Sequence, residues 1–373
     1  VTGSREGPSR QASLRDSNLR LVLATVLAAE EPPSRAAVAA TTGLTRSTVS
    51  RLADELVTGG LLDELDRSPA PGRGRPGTPL VAGSGVAALG MQVNPGFLAA
   101  RVVDLRGRVL SEDLVPGDLS GSDPVEVLRR LGLMARTVER AAPASTRLVG
   151  RGLAVPGLVA ARHGRLLSAP NLGWADVPIR RLLPRGLGGS ALTVANEAEL
   201  AARTVAAAAP GRPGPYTDFF YVSGEVGVGG AIVLDGRVFG GRYGWAGEVG
   251  HITVDTDGPP CSCGSRGCLE QYAGLRALRQ DVERAGWALG VALAAVVNLL
   301  DIPTIVLGGH LAHAADALRP GVLREMEQRV LSSPWRPPDV RVADEDPAAG
   351  ATGAAYQVFD QVLDAPASLV PQR

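Results

Sequence analysis

The chain has 373 residues, is 45% hydrophobic and 20% charged, and carries no formal net charge at neutral pH. That length calls for two or three globular units. Residues 1–80 hold ten arginines against nine acids, which excludes a generally basic nucleic-acid-binding surface there, so any DNA contact has to come from local geometry. Lysine is absent, which excludes a phosphate-loop lysine and Schiff-base chemistry.

Residues 1–16 are polar and read as a disordered arm without the apolar run of a signal peptide. Three helices are expected over residues 17–66. In the first, Leu19, Val22, Leu23, Val26 and Leu27 share one face. Ser34 is placed to cap a second helix that buries Val38. Gly43 supplies the left-handed turn, and Thr45 caps a third helix with Val49, Leu52, Leu56 and Val57 inward.

This is the logic of a helix-turn-helix. The outer face of the third helix keeps Thr45, Arg46, Ser47, Thr48, Ser50 and Arg51, suited to phosphates and base edges in a major groove, and Arg35 joins them from the second helix. Leu61 and Leu62 begin a strand leading to a wing. Residues 67–80 are rich in Pro, Gly and Arg, and Arg73 and Arg75 form a basic hook suited to a narrow minor groove. The alternative is a helical hairpin used only for dimerisation. A winged helix-turn-helix domain is therefore expected over residues 17–82.

From residue 83 the pattern alternates strands with helices, which predicts an α/β domain. Strands are expected at 86–93 and 98–110, with a hairpin turn at 104–107, and further on at 148–159, 192–196, 219–224, 228–236 and 304–309. Helices are expected at 123–142, 197–208, 271–300, 313–331 and 350–364. No internal repeat is visible. The longest apolar stretch, residues 287–300, contains Gly and Asn and is too short to span a bilayer, so a cytoplasmic protein without membrane contact is expected.

Cys261, Cys263 and Cys268 are the only cysteines and fall within eight residues, shortly after His251. Three thiolates and an imidazole make a tetrahedral Cys3His set, predicting one structural zinc per chain with no open coordination position.

The block Gly247-Glu248-Val249-Gly250-His251, the cysteine cluster and Leu269-Glu270 together resemble the ROK family of repressors, open reading frames and sugar kinases. Pro156–Val159, Ala169–Trp174, Val194–Ala202, the glycine-rich stretch around Gly224–Gly230 and Ile305–Gly309 extend the likeness over nearly the whole chain. The resemblance implies an actin-like ATPase fold in two lobes, lobe 1 about 83–195 plus a C-terminal helix 350–366 and lobe 2 about 196–349, with sugar in the cleft between them. It implies that Asn171, Asn196, Glu197, Glu248, His251 and Glu270 bind sugar hydroxyls, with His251 serving zinc and sugar at once.

Three positions depart from the family's kinases. The opening phosphate loop reads Gln92-Val93-Asn94-Pro95-Gly96, without its acid. Glu197 stands at the position of the catalytic Asp, and Glu225 places a carboxylate in the second glycine-rich loop. The expectation is a sugar-responsive repressor, not an enzyme, without ATP or Mg. Its partners would be a palindromic double-stranded operator, a sugar effector, and a second or further copies of itself in a homodimer or homotetramer. The competing readings are an active sugar kinase with an appended DNA-binding domain and a regulator governed by a protein partner.

Overall fold

The structure, a computed structural model, describes residues 10–65, 78–189 and 191–370. The first apolar stripe folds as α1 (Arg10–Ala28), with Leu19, Val22, Leu23, Val26 and Leu27 each at most 5% exposed. The helix begins earlier than expected: residues 10–16, assigned to a disordered arm, are helical. The reason is tertiary, since Arg15 reaches Glu55 across 2.6 Å and 40 positions of chain.

Helix α2 (Arg35–Thr42) is capped by Ser34, whose hydroxyl accepts from the Ala37 N–H. It ends at Gly43 with φ 72°, a conformation costly for any residue with a Cβ. Helix α3 (Arg46–Thr58) follows at once, capped by Thr45. Strands β1 (Leu62–Glu64) and β2 (Leu80–Ala82) pair antiparallel as the base of the wing.

Two five-stranded sheets form the body. The first joins β3 (Val86–Asn94), β4 (Phe97–Asp104), β5 (Val109–Pro116), β6 (Arg147–Val155) and, past a small sheet, β10 (Leu192–Asn196), in the order β10-β6-β3-β4-β5. Helix α4 (Pro124–Ala141) packs on β4 and β5. The small sheet contains β7 (Leu158–Ala160), β8 (Arg165–Ala169) and β9 (Trp174–Val177), and short α5 (Ile179–Leu182) follows it.

Helix α6 (Glu197–Ala206) and the ribbon β11 (Ala207–Ala209) and β12 (Arg212–Pro213) lead to the second sheet. That sheet has β13 (Phe219–Gly224), β14 (Val228–Leu234), β15 (Arg237–Val238), β16 (Thr304–Gly308) and β17 (Asp339–Val342), in the order β15-β14-β13-β16-β17. The helix expected over 271–300 is three: α7 (Glu270–Ala273), α8 (Leu275–Gln280) and α9 (Val282–Leu300), broken at Gly274 and Asp281. Then come α10 (Gly309–His313), α11 (Ala315–Arg329) and α12 (Ala349–Asp364).

Both sheets have one topology: an antiparallel meander of three strands, whose first member pairs in parallel with a fourth strand, and that in parallel with a fifth. The duplication is invisible as sequence repetition because it preserves strand order rather than residue identity. Helix α9, with mean hydropathy 1.3 over its most apolar window, is long and apolar enough to cross a membrane, contrary to the shorter stretch counted in the sequence. Its apolar face, including Leu289, Leu293 and Val297, is buried in the second sheet's core.

The helices after each sheet's last strand cross between the lobes. Helix α6 packs on β14, and α12 packs back on β3 and β6 while contacting α6. The crossing is close: a Cβ on Gly353 would lie 1.7 Å from the Leu200 carbonyl oxygen. The outer part of α12 joins the head. Phe359 and Val362 share one core with Leu23, Leu27, Leu56 and Leu80. Arg106, in the β4–β5 turn, donates to Asp63 of β1 at 2.5 Å and to the Ala82 carbonyl at 2.7 Å. The helix-turn-helix is thus fused to the first lobe and α12 by a continuous apolar core.

Candidate functional site

A cleft of about 520 Å³ lies between the lobes. One wall carries Asn171, which follows β8, and the opposing wall carries Glu270 at the start of α7. Asn171 Nδ2 donates to Glu270 Oε2 at 3.2 Å, and the same oxygen accepts the Val228 N–H at 3.1 Å. Gly227 lets these groups meet: a Cβ there would lie 2.1 Å from Glu270 Oε2 and 2.3 Å from Asn171 Nδ2. Asn196 reaches the same cleft, but much of its amide serves the fold. Its Oδ1 caps α6 through the Ala198 and Glu199 N–H groups, and its Nδ2 donates to the Gly157 carbonyl.

His251 sits on a short turn after Glu248, with Nε2 4.0 Å from Glu248 and Nδ1 3.9 Å from Cys261 Sγ. One ring edge faces the cleft and the other the thiols. Burial, opposed by His251 and reinforced by Glu270, raises the Glu248 pKa above the usual carboxylate range. Glu199, on the first turn of α6, is pushed up to about 7 by burial, with Arg203 opposing and Glu248 adding repulsion.

Farther along the cleft, Glu197 Oε2 accepts from Gln92 Nε2 at 3.3 Å and Asn94 Nδ2 at 3.1 Å. Burial pushes its pKa up to about 7 against these two bonds. Asn94 Oδ1 accepts the Gly96 N–H at 2.8 Å, so that turn amide is already used. Glu225, in the β13–β14 turn, is raised to about 8 by burial and by Glu197. Its carboxylate lies 3.9 Å from His310, whose own pKa is lowered by burial, then by His313 and Arg279.

His251, Cys261, Cys263 and Cys268 bring their ligand atoms within 4.8 Å of one another. Cys263 and Cys268 sulfurs stand 3.8 Å apart, the edge expected of a tetrahedron with metal–sulfur bonds of about 2.3 Å. The loop is held by the Cys261 N–H on the Ser265 carbonyl and the Gly264 N–H on the Cys261 carbonyl. The donor set therefore fits zinc.

On the head, Arg46, Ser47 and Arg51 are exposed on α3 while Ser50 and Thr48 are half-buried. Thr45 Oγ1 stays within hydrogen-bond range of Ser47 and Thr48. Arg51 bonds Glu55 at 2.7 Å. Arg35, expected to face DNA, ties α2 to α3 and the wing in this DNA-free structure, donating to Asp54, Glu64 and the Ser50 carbonyl. Arg73 and Arg75 lie outside the described residues.

The chain matches the ROK family over residues 97–289 and 281–361, and an IclR helix-turn-helix domain over residues 21–66. The chain belongs to the ROK family. A xylose repressor of Caldicellulosiruptor bescii is 31% identical over 73% of this chain and 67% of its own length. The Streptomyces coelicolor glucokinase is 27% identical over 72% of this chain and 96% of its own. A solved ROK transcriptional regulator, a homologue of the Escherichia coli MLC protein, superposes with TM-score 0.74 at 24% identity, covering 94% of this chain and 97% of that one. The glucokinase match covers 72% of this chain, whereas the solved regulator covers 94%.

Within a ROK body, the sequence motifs single out both halves of the cleft but miss several of its walls. Gln92 was legible only as a departure in the opening loop, not as a partner of Glu197. His310 and His313 also line the cleft, with Asp344, Glu345 and Asp346. No local motif marks them; they arrive from β16 and from the segment before α12 because the second sheet's parallel strands end there.

Proposed function

We propose that this ROK protein is a sugar-responsive transcriptional repressor whose kinase-like body senses sugar without phosphorylating it. The observation that carries the reading is the lock on Glu197. The residue at the kinase base position is bonded by Gln92 and Asn94, side chains of the same loop that has lost its acid. Both amides donate to Oε2, so they favour the ionised carboxylate and lower its affinity for a hydroxyl proton. Relatives named as xylose repressors, and the NagC regulator, support the regulatory assignment.

In this reading Asn171, Asn196, Glu197, Glu248, His251 and Glu270 bind the sugar hydroxyls. His251, Cys261, Cys263 and Cys268 hold one zinc, which fixes the His251 ring against Glu248 and so shapes the sugar pocket. The α3 face at Arg46, Ser47, Thr48 and Ser50 enters the major groove, aided by Arg73 and Arg75. The cytoplasmic protein acts as a homodimer or homotetramer on a palindromic operator. Sugar alters DNA affinity through different affinities for the two lobe arrangements.

The test is operator binding titrated with free sugars at fixed ionic strength, beside an ADP-release assay on the same sugars. A sugar-dependent shift in affinity without turnover is expected. Turnover would instead favour a working kinase carrying a DNA-binding head, the reading to which the glucokinase likeness points.

A further inference from the structure

We infer that the effector is an uncharged, unphosphorylated sugar, and that the cleft rejects the same sugar once it carries a phosphate. The inference rests on the sugar-cleft reading and deepens it. Proteins bind phosphate with guanidinium or ammonium groups and with free N–H groups at helix N-termini and turns. Here the chain has already supplied its own acceptor at several such places.

At α6, Asn196 Oδ1 takes the Ala198 and Glu199 N–H groups, and Glu197 and Glu199 fill the first turn. At α12, Asp346 Oδ1 accepts the Ala348 N–H at 3.0 Å. The same carboxylate holds Arg101 at 2.6 Å, which engages that guanidinium. In the opening loop, Asn94 Oδ1 has taken the Gly96 N–H. At the start of α10, Glu225 packs so closely that a Cβ on Gly309 would lie 2.5 Å from its Oε1.

Among the described residues, seven acids line the cleft and no arginine does. The chain has no lysine to place there. Burial raises both Glu197 and Glu225, and Glu197 adds repulsion at Glu225. The basic side chains in its lining are His251, His310 and His313, so a phosphate entering this cleft would meet seven acids with no guanidinium or ammonium group among the described lining residues, a juxtaposition that costs heavily in a desolvated site. Sugar hydroxyls meet the reverse: carboxylates and amides are their natural acceptors and donors.

Calorimetry on the full-length, zinc-loaded protein with glucose, mannose, N-acetylglucosamine and their 6-phosphates, together with xylose, tests this. At least one free sugar is expected to bind, with its phosphate ester, where one is in the panel, weaker by about 100-fold or more. A phosphate ester that binds as well as its parent, or better, overturns the inference and leaves the sugar-sensor reading intact. Binding by no compound overturns both. Glu225→Gln, measured at about pH 8.5 where the native carboxyl, with its pKa of about 8, is ionised, is expected to narrow the gap about tenfold. An unchanged gap removes the electrostatic basis of the inference.

Discussion

Gln92 donates its side-chain N–H to Glu197 across 3.3 Å, and its carboxamide oxygen accepts the Ala351 N–H at 3.0 Å. One buried amide thus ties the cleft to the first turns of α12, whose far end shares a core with the DNA-binding head. A ligand that moves Glu197 has a physical route to the head through this amide. Gln92→Leu is expected to cut the ratio of operator affinities with and without sugar by about tenfold, within the usual ~1–3 kcal/mol of allosteric coupling. An unchanged ratio in binding titrations would remove Gln92 from the route.

Arg46 and Arg51 both stand on the outer face of α3, yet they separate on replacement. Arg51 and Arg15 clamp Glu55, which is only 5% exposed. Arg51→Ala is therefore expected to lower the head's stability by about 1–2 kcal/mol, since one guanidinium still pairs with the buried acid. Arg46 has no acidic partner among the described residues. Arg46→Ala is expected to weaken operator binding by about 1–3 kcal/mol with an unchanged melting temperature. A melting scan beside a DNA titration at one salt concentration distinguishes the two variants.

The head was legible because its signals are local. Ser34, Gly43 and Thr45 act on their own neighbours, and the α1 stripe needs only helical periodicity. Cys261, Cys263 and Cys268 were legible because a metal site demands a rare residue at close spacing. What escaped was tertiary. The doubled sheet topology leaves no matching residues to find. The helical start at Arg10 depends on Glu55, and Arg35 pairs with Asp54 and Glu64, which no helical pattern announces. The partnership of Gln92 with Glu197 spans 105 positions.

Gly227 is required by the contact it permits. A methyl group there would displace either Asn171 or Glu270 from the hydrogen bond between them. Gly227→Ala is expected to weaken sugar binding by about ten- to a hundredfold, the range of a local overpacking cost of ~1–3 kcal/mol. Sugar-free operator binding should survive, because the head's core lies elsewhere. Wild-type sugar affinity in the variant would show that the Asn171–Glu270 pair is not part of the pocket.

The thiol cluster and the cleft share His251, so metal and effector should be linked. Zinc analysis is expected to return one ion per chain. Cys268→Ser should abolish that ion and weaken sugar binding by about 10–100-fold, the usual effect of loosening a positioned ligand shell. Cys268 is fully buried, so the melting temperature should fall as well. Chelation of the wild-type protein, followed by zinc restoration, separates the two effects: affinity should return with the ion. Sugar affinity that ignores chelation would disconnect the metal from the pocket.

Glu197 makes stability depend on pH in a calculable direction. Its folded pKa is about 7, raised by burial from an ordinary 4.5. Between those values the unfolded chain has released the proton while the folded chain retains it. The folded state therefore binds more protons, and its stability falls as pH rises from 4.5 toward 7. Glu225 has the same sign and carries the decline on to about 8. Glu197→Gln removes the ionisation while keeping an acceptor for Gln92 and Asn94. The variant is expected to match wild type near pH 4.5 and to exceed it by about 1–3 kcal/mol above pH 7. Melting temperatures measured from acid to mildly alkaline pH give the comparison. If the two proteins track each other across that window, Glu197 is not the desolvated carboxyl that its place between the lobes makes it.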